Sequence, residues 1–215
     1  MRHIDRLETP EILLRNGAIW AKRFLESERV RPFSSQYAHT EILELLKSMS
    51  SHKCFYCERL LKGVPKEVDH YIEVAEHRHL SFLWQNLYLS CDNCNNKLNN
   101  RTISAAIVLD PCFHSDEEIE ENLIFENELI RPKNNSKIGG LTIQKYKLDS
   151  DHLDYLRSRE LTKFHDILID IQKKQIAEGG RQMSSEELEK LQSFANRARP
   201  FSLMFKRLLQ KHSLF

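Results

Sequence analysis

Between residues 54 and 96 the chain sets four of its five cysteines around a small group of side chains that could hold a second metal or move a proton. Cys54-Phe-Tyr-Cys57 and Cys91-Asp-Asn-Cys94 each set two thiols at the spacing that tetrahedral zinc takes. Two such pairs close a four-thiolate shell with no open position, so this metal would hold a scaffold and leave chemistry to other residues. Asp69, His70 and Asn86 stand between the pairs, and Asn95 and Asn96 follow the second. Hydrolysis of a phosphodiester needs a base for water, a cation to offset transition-state charge, and help for the leaving oxygen. His70 can be the base. Asp69 offers a hard charged oxygen and Asn95 a neutral one, which suits Mg2+ or Mn2+ with several waters retained.

In type and order these residues resemble the HNH, or ββα-metal, nuclease family. In its zinc-supported members a C-x-x-C pair precedes Asp-His, a central Asn follows, and the second C-x-x-C leads into the metal-binding helix. The resemblance implies that His70 is the general base and that Asn86 braces the loop carrying it. It also implies that Asp69 and Asn95 hold the catalytic cation, with Asn95 where the family often has His. Asn96 is the alternative ligand if the helix register slips.

A longer match runs through Lys53-Cys-Phe-Tyr-Cys-Glu58, Trp84-Gln-Asn-Leu-Tyr-Leu-Ser-Cys-Asp-Asn-Cys-Asn-Asn-Lys97, Leu109-Asp-Pro111, Leu141-Thr-Ile143, Leu148 and Arg157. It is similar to the PtuB nucleases of Septu and retron-associated anti-phage defence systems. The segment Tyr71-Ile-Glu-Val-Ala-Glu76 departs from that pattern, lacking the Pro-Lys frequent after His. The similarity implies a PtuA-like ABC-type ATPase partner and a nucleic acid substrate, either DNA or RNA such as tRNA. In the retron setting it implies a retron RNA/DNA component met through the complex. The chain has no G-x-x-x-x-G-K-[ST] phosphate loop, so any ATP dependence would come from the partner.

Other readings share part of this evidence. A zinc module that binds nucleic acid or protein without cutting it would need the cysteines but not Asp69 and His70 in register with them. A restriction or homing endonuclease with its own sequence specificity would carry a DNA-reading module, and none is recognisable. His77 and His79 read as a solvated loop, and Phe55, Tyr56, Phe82 and Trp84 as packing around a small zinc module. Lys97 and Arg101 suit phosphate contact or a solvated helix face. Cys112, the fifth cysteine, reads as a reduced core or loop thiol.

Holding these residues in place requires a scaffold, and 215 residues with 40% apolar content can bury a sizeable core. The expected fold class is α+β, a zinc-supported ββα-metal HNH core flanked by N- and C-terminal α-helices. The expected divisions are an N-terminal helical segment (1–51), the nuclease core (52–101), a mixed acidic segment with short strands (102–149) and a C-terminal helical region (150–215). Thr9, Pro10 and Glu11 predict a helix start with Thr9 as N-cap. A second helix is predicted over Gln36 to Met49 and broken at Ser50-Ser51-His52. Ile103 to Leu109 fits strand or helix. Leu123-Ile-Phe and Leu129-Ile predict a hairpin around Glu126-Asn127-Glu128. Asn134-Asn135-Ser136 and Gly139-Gly140 predict a loop. A long helix should follow Asp149 and end at Gly179-Gly180, with a Ser184–Glu187 capping box starting the next and a last short helix over Phe201 to Gln210.

The net charge of +1 hides two opposed runs, acidic over residues 116–128 and basic over 181–215. So mild an overall charge suggests a subunit that works beside a partner's surface. The N-terminal stretch has no signal-peptide h-region and no segment approaches the roughly 20 apolar residues of a membrane span, so a cytoplasmic location is expected. Reduced thiols binding metal agree with that compartment.

Overall fold

The computed structural model of the chain describes residues 1–64, 66–96 and 102–215. Its centre is a ββα unit. Strand β1 (Lys66–His70) pairs antiparallel with β2 (Leu87–Cys91), in a register that sets Lys66 against Cys91 and His70 against Leu87. The helical turn α4 (Asp92–Asn95) follows β2 directly. All five residues of β2 are buried, which explains why Leu-Tyr-Leu-Ser-Cys is nearly continuous in its burial instead of alternating.

Three N-terminal helices pack around this unit: α1 (Glu11–Leu25), α2 (Ser34–Tyr37) and α3 (Thr40–Ser50). Leu13 and Phe24 of α1 and Ile42 and Leu46 of α3 point into the core. The first helix starts one residue later than predicted, with Pro10 in extended geometry as its cap and Thr9 outside. No side chain of its own caps it; Glu41 of α3 accepts the Ile12 N–H at 2.8 Å instead. The predicted Gln36–Met49 helix is two helices. His39 leaves helical geometry and its Nδ1 accepts the Glu41 N–H at 3.3 Å, so an imidazole cap starts α3 where the apolar period alone suggested continuity. The break after Ser50 is as predicted, with Ser51 and His52 both left-handed at φ 52° and 59°.

The middle of the chain corrects two expectations. Ile103 to Leu109 forms only a single 3-10 turn at Ala105–Ile107, started by the Ser104 side chain accepting the Ala106 N–H. The acidic run contains helix α5 (Asp116–Asn122), opened by a Ser115–Glu118 capping box. The hairpin of β3 (Leu123–Glu126) and β4 (Leu129–Pro132) then forms as predicted, turning through Asn127 at φ 57°. Asn134 and Asn135 take left-handed geometry, but Gly139 and Gly140 lie inside helix α6 (Lys137–Tyr146), capped by Ser136. A Cβ on Gly139 would stand 2.1 Å from the Asn122 carbonyl oxygen. The glycine therefore serves close packing of α6 on the end of α5 and not a turn.

Helix α7 (Asp151–Ala177) ends at Gly179 and Gly180, φ 78° and 79°, and α8 (Ser185–Gln192) begins with the Ser184–Glu187 capping box. Helix α9 (Ser202–Lys211) closes the chain. Phe164, Phe194, Met204 and Phe205 anchor a second apolar cluster among these helices. The two parts meet at Glu58, whose carboxylate takes Lys53 Nζ at 3.2 Å and the Ser202 hydroxyl at 2.7 Å. Burial alone would raise the Glu58 pKa, but Lys53, the amino terminus and the Ser202 hydroxyl outweigh it and bring it down to about 2.

The opposed charge runs also meet within the molecule. Asp116 pairs with Arg2 and Arg197 at 3.2 and 2.7 Å, and Glu120 with Lys206 and Arg207 at 2.6 and 3.1 Å. Much of the basic C-terminal charge is thus spent internally. Among the described residues, no helix is long and apolar enough to cross a membrane.

Candidate active site and metal centre

The two C-x-x-C pairs converge from different elements. Cys54 and Cys57 sit on a tight turn before β1, Cys91 is the last residue of β2, and Cys94 lies in α4. Their four Sγ atoms lie within 4.8 Å of one another, and all four residues are buried. The Cys57 and Cys91 sulfurs are 3.8 Å apart. Zinc–sulfur bonds of about 2.3 Å in a tetrahedron give an edge of about 3.8 Å, so the cage fits a structural zinc. The Arg59 N–H points at Cys57 Sγ at 3.5 Å, a contact suited to thiolate. Burial pushes the Cys57 and Cys94 thiols well above their usual range, so a cation is what would hold them as thiolates.

Beside the cage, an open cleft of about 410 Å³ has Tyr37, Glu67, Asp69, His70, Asn95 and Asn96 in its lining. Asp69 and Glu67 alternate along β1 and so share a face of the strand. Asp69 is almost fully buried and its Oδ2 accepts the Tyr56 hydroxyl at 2.6 Å. Burial, helped by the nearby Asp69 charge, pushes the Tyr56 phenol well above its usual range, so it remains a donor. Asn95 donates its Nδ2 to the Glu67 carboxylate. His70 Nε2 lies 2.9 Å from the Ser81 carbonyl. A carbonyl can only accept, so Nε2 carries the proton and Nδ1 is the basic nitrogen of the neutral ring. The Tyr37 ring packs against the imidazole with centroids 4.8 Å apart.

Asn86 does not line the cleft. It is buried behind it, where its Oδ1 accepts the Ile72 N–H at 2.7 Å and its Nδ2 donates to the carbonyls of Ile72 and Leu80 at 3.1 and 3.2 Å. These bonds cross the base of the connection between β1 and β2, the same connection that presents Ser81 to His70. Asn86 can thus orient the imidazole without touching a substrate.

A closed four-sulfur cage, two antiparallel strands, a short helix and an Asp-His pair at a strand end are now in view. Residues 54–101 match the HNH endonuclease family. This HNH segment supports nuclease activity in general. No curated protein matches the chain. Within the segment the structure brings Asp69, His70 and Asn95 to one cleft, with Asn96 at its edge. Lys97 and Arg101 lie outside the described residues. His77 and His79 are exposed, as a solvated loop would be. Cys112 is half-buried, and burial pushes its thiol up to about 12. The donor set of the cleft, oxygens with room for water, fits a hard divalent cation.

Three residues that line the cleft or hold its lining in place escaped the sequence reading. Tyr56 does pack as expected, stacking on Tyr146 with centroids 3.9 Å apart, but its hydroxyl also holds Asp69. Glu67 was legible in principle, because it precedes Asp69 by two on a strand and must share its face. Tyr37 carried no local signal; only the fold brings α2 against β1.

Proposed function

We propose that the protein is an HNH endonuclease that hydrolyses phosphodiester bonds of nucleic acid, with Mg2+ or Mn2+ held by Asp69 and Asn95. The observation that supports this most is a histidine of defined tautomer, His70, in one solvent-open cleft with two oxygen donors of divalent-cation type. His70 Nδ1 would take a proton from water as the water oxygen bonds to phosphorus. The bond to the leaving oxygen then breaks, giving a phosphate monoester and an alcohol whose oxygen takes a proton from solvent. When bound, the cation would offset charge on the phosphate and the leaving oxygen. Tyr56 would hold Asp69 in place, Glu67 would orient the Asn95 amide, and Asn86 would keep the Ser81 carbonyl where it fixes the imidazole. Cys54, Cys57, Cys91 and Cys94 would carry structural zinc.

The finer reading is an effector of an anti-phage defence complex with a PtuA-like ABC-type ATPase, acting on DNA or on RNA such as tRNA. It is supported by the sequence similarity through residues 53–58, 84–97 and 109–111 and by the lack of a phosphate loop in the chain.

The test uses the full chain, alone and co-expressed with such an ATPase, on plasmid DNA and on tRNA with Mn2+. His70→Ala should keep its zinc and a cooperative thermal transition while cleavage falls by about 10²–10⁴-fold. Unchanged cleavage would remove His70 from its role. Wild-type protein inert on both substrates, with zinc in place, would leave a non-catalytic zinc module.

A further inference from the structure

We infer that Arg31, from the connection between α1 and α2, binds the scissile phosphate in the cleft. The inference rests on the phosphodiesterase reading above and adds a residue from outside the HNH segment. The cleft is acidic on several sides, with Glu67, Asp69 and Glu73 in its lining beside an Asp92 already paired with Arg59 at 3.2 Å. A phosphodiester anion entering it meets like charge on these sides, and one divalent cation at Asp69 and Asn95 answers only one part of the group. Arg31 is the one cationic side chain that lines the cleft among the described residues. It is exposed and forms no ion pair with a described residue, so its five N–H donors remain available to a ligand. A guanidinium fork matches two non-bridging phosphate oxygens at once, which a lysine ammonium cannot do.

The segment that carries Arg31 is held in place, which separates it from an ordinary solvated arginine. Arg78, from the β1–β2 connection, donates to three carbonyls of that segment: Phe24 at 2.8 Å, Ser27 at 3.0 Å and Arg29 at 2.8 Å. Its guanidinium also lies over the Phe24 ring, 4.3 Å from the centroid. Arg29 stacks over Phe33 at 3.7 Å and donates Nε to the Arg31 carbonyl at 3.3 Å. Pro32 follows, fixing the next φ. The same β1–β2 connection supplies the Ser81 carbonyl to His70, three residues after Arg78. Arg31 and the basic nitrogen are therefore positioned from one piece of backbone, and Tyr37, six residues after Arg31, packs on the imidazole itself. Preorganised donors aimed at a phosphate act mainly on the transition state.

The experiment compares wild type, Arg31→Gln and Arg31→Lys in Mn2+ on plasmid DNA and on bis(p-nitrophenyl) phosphate, whose leaving group needs no protonation. Zinc content, melting temperature and Mn2+ affinity by electron paramagnetic resonance are recorded for each. Arg31→Gln should lose about 10²–10³-fold in kcat on both substrates, with zinc, melting temperature and Mn2+ affinity held, and Arg31→Lys should recover part of the loss. Hydrolysis of both substrates within about threefold of wild type would overturn the assignment. Loss on plasmid alone would also overturn it, placing Arg31 on a flanking phosphate; so would loss of zinc or of melting temperature in Arg31→Gln, which is a folding role. Wild type inert on both substrates would instead overturn the nuclease reading on which the inference stands.

Discussion

The cysteine cage and the cleft beside it are opposites built from the same few elements. The cage is four soft sulfurs, all buried. The cleft gathers oxygen and nitrogen donors among a few apolar side chains, opens to solvent, and holds about 410 Å³. Yet the two share backbone. Cys94 precedes Asn95 in α4, Cys91 ends the strand whose other end faces His70, and Tyr56 stands between Cys54 and Cys57 while its hydroxyl holds Asp69. Dependence should therefore run one way, with the cleft needing the cage and the cage indifferent to the cleft's chemistry.

Breaking the cage should cost the protein most. Cys57→Ser, or chelation of the wild type, removes a cation whose binding energy is folding energy for a module this small. The expected outcome is loss of zinc, loss of the cooperative thermal transition of residues around β1 and β2, and loss of any cleavage with it. Metal analysis beside a circular-dichroism melt checks this. A zinc-free chain that still melts cooperatively at the wild-type temperature would dissolve the comparison, since the cage would then be only a set of buried thiols.

The unequal clarity of the two sites in the sequence has the same origin. A closed shell takes all its ligands at fixed local spacings, so two C-x-x-C pairs announce it, and the cysteines do converge. The cleft draws on distant elements. Asp69, His70 and Asn95 stand out through their register with the cysteines, but Tyr37 of α2 and Arg31 of the α1–α2 connection reach the cleft through contacts that no periodicity reports. The helices followed similar logic. Helix α7 ends at its two glycines and α8 begins at its capping box, as the residues say, though α8 stops at Gln192. The helix predicted over Gln36 to Met49 was divided by a histidine cap, and Gly139 sat inside α6 because Asn122 comes so close. A local imidazole cap decided the first and a tertiary neighbour the second, each where helix propensity alone left the matter open.

Asn86 is neither a cage ligand nor a lining residue, so its loss should fall between the two. Asn86→Ala leaves one N–H and two carbonyls of the β1–β2 connection without their buried partner. That should cost about 1–3 kcal/mol in a urea melt. Zinc should stay bound, since no bond from Asn86 reaches the cysteines, while cleavage falls because the Ser81 carbonyl loses its brace. Zinc loss in this variant would show that the cage depends on the connection after all, reversing the proposed direction of dependence.

Tyr56→Phe is the smallest change and addresses the link itself. The ring contributes the stacking on Tyr146 and Tyr88 and leaves the cage untouched, and phenylalanine retains it. Only the hydroxyl that donates to Asp69 at 2.6 Å is removed. A hydrogen bond to a charged group contributes about 1.5–3 kcal/mol to stability in favourable settings, and its loss here leaves a nearly buried carboxylate less well satisfied. A divalent cation bound by Asp69 would compensate for part of that loss. The expected result is a melting temperature lowered without divalent cation and largely restored by Mn2+, with zinc content constant and kcat reduced by less than the loss in His70→Ala. If Mn2+ shifts wild type and Tyr56→Phe equally, the hydroxyl does not couple the knuckle to the cation, and the cleft depends on the cage only through the backbone of β2 and α4.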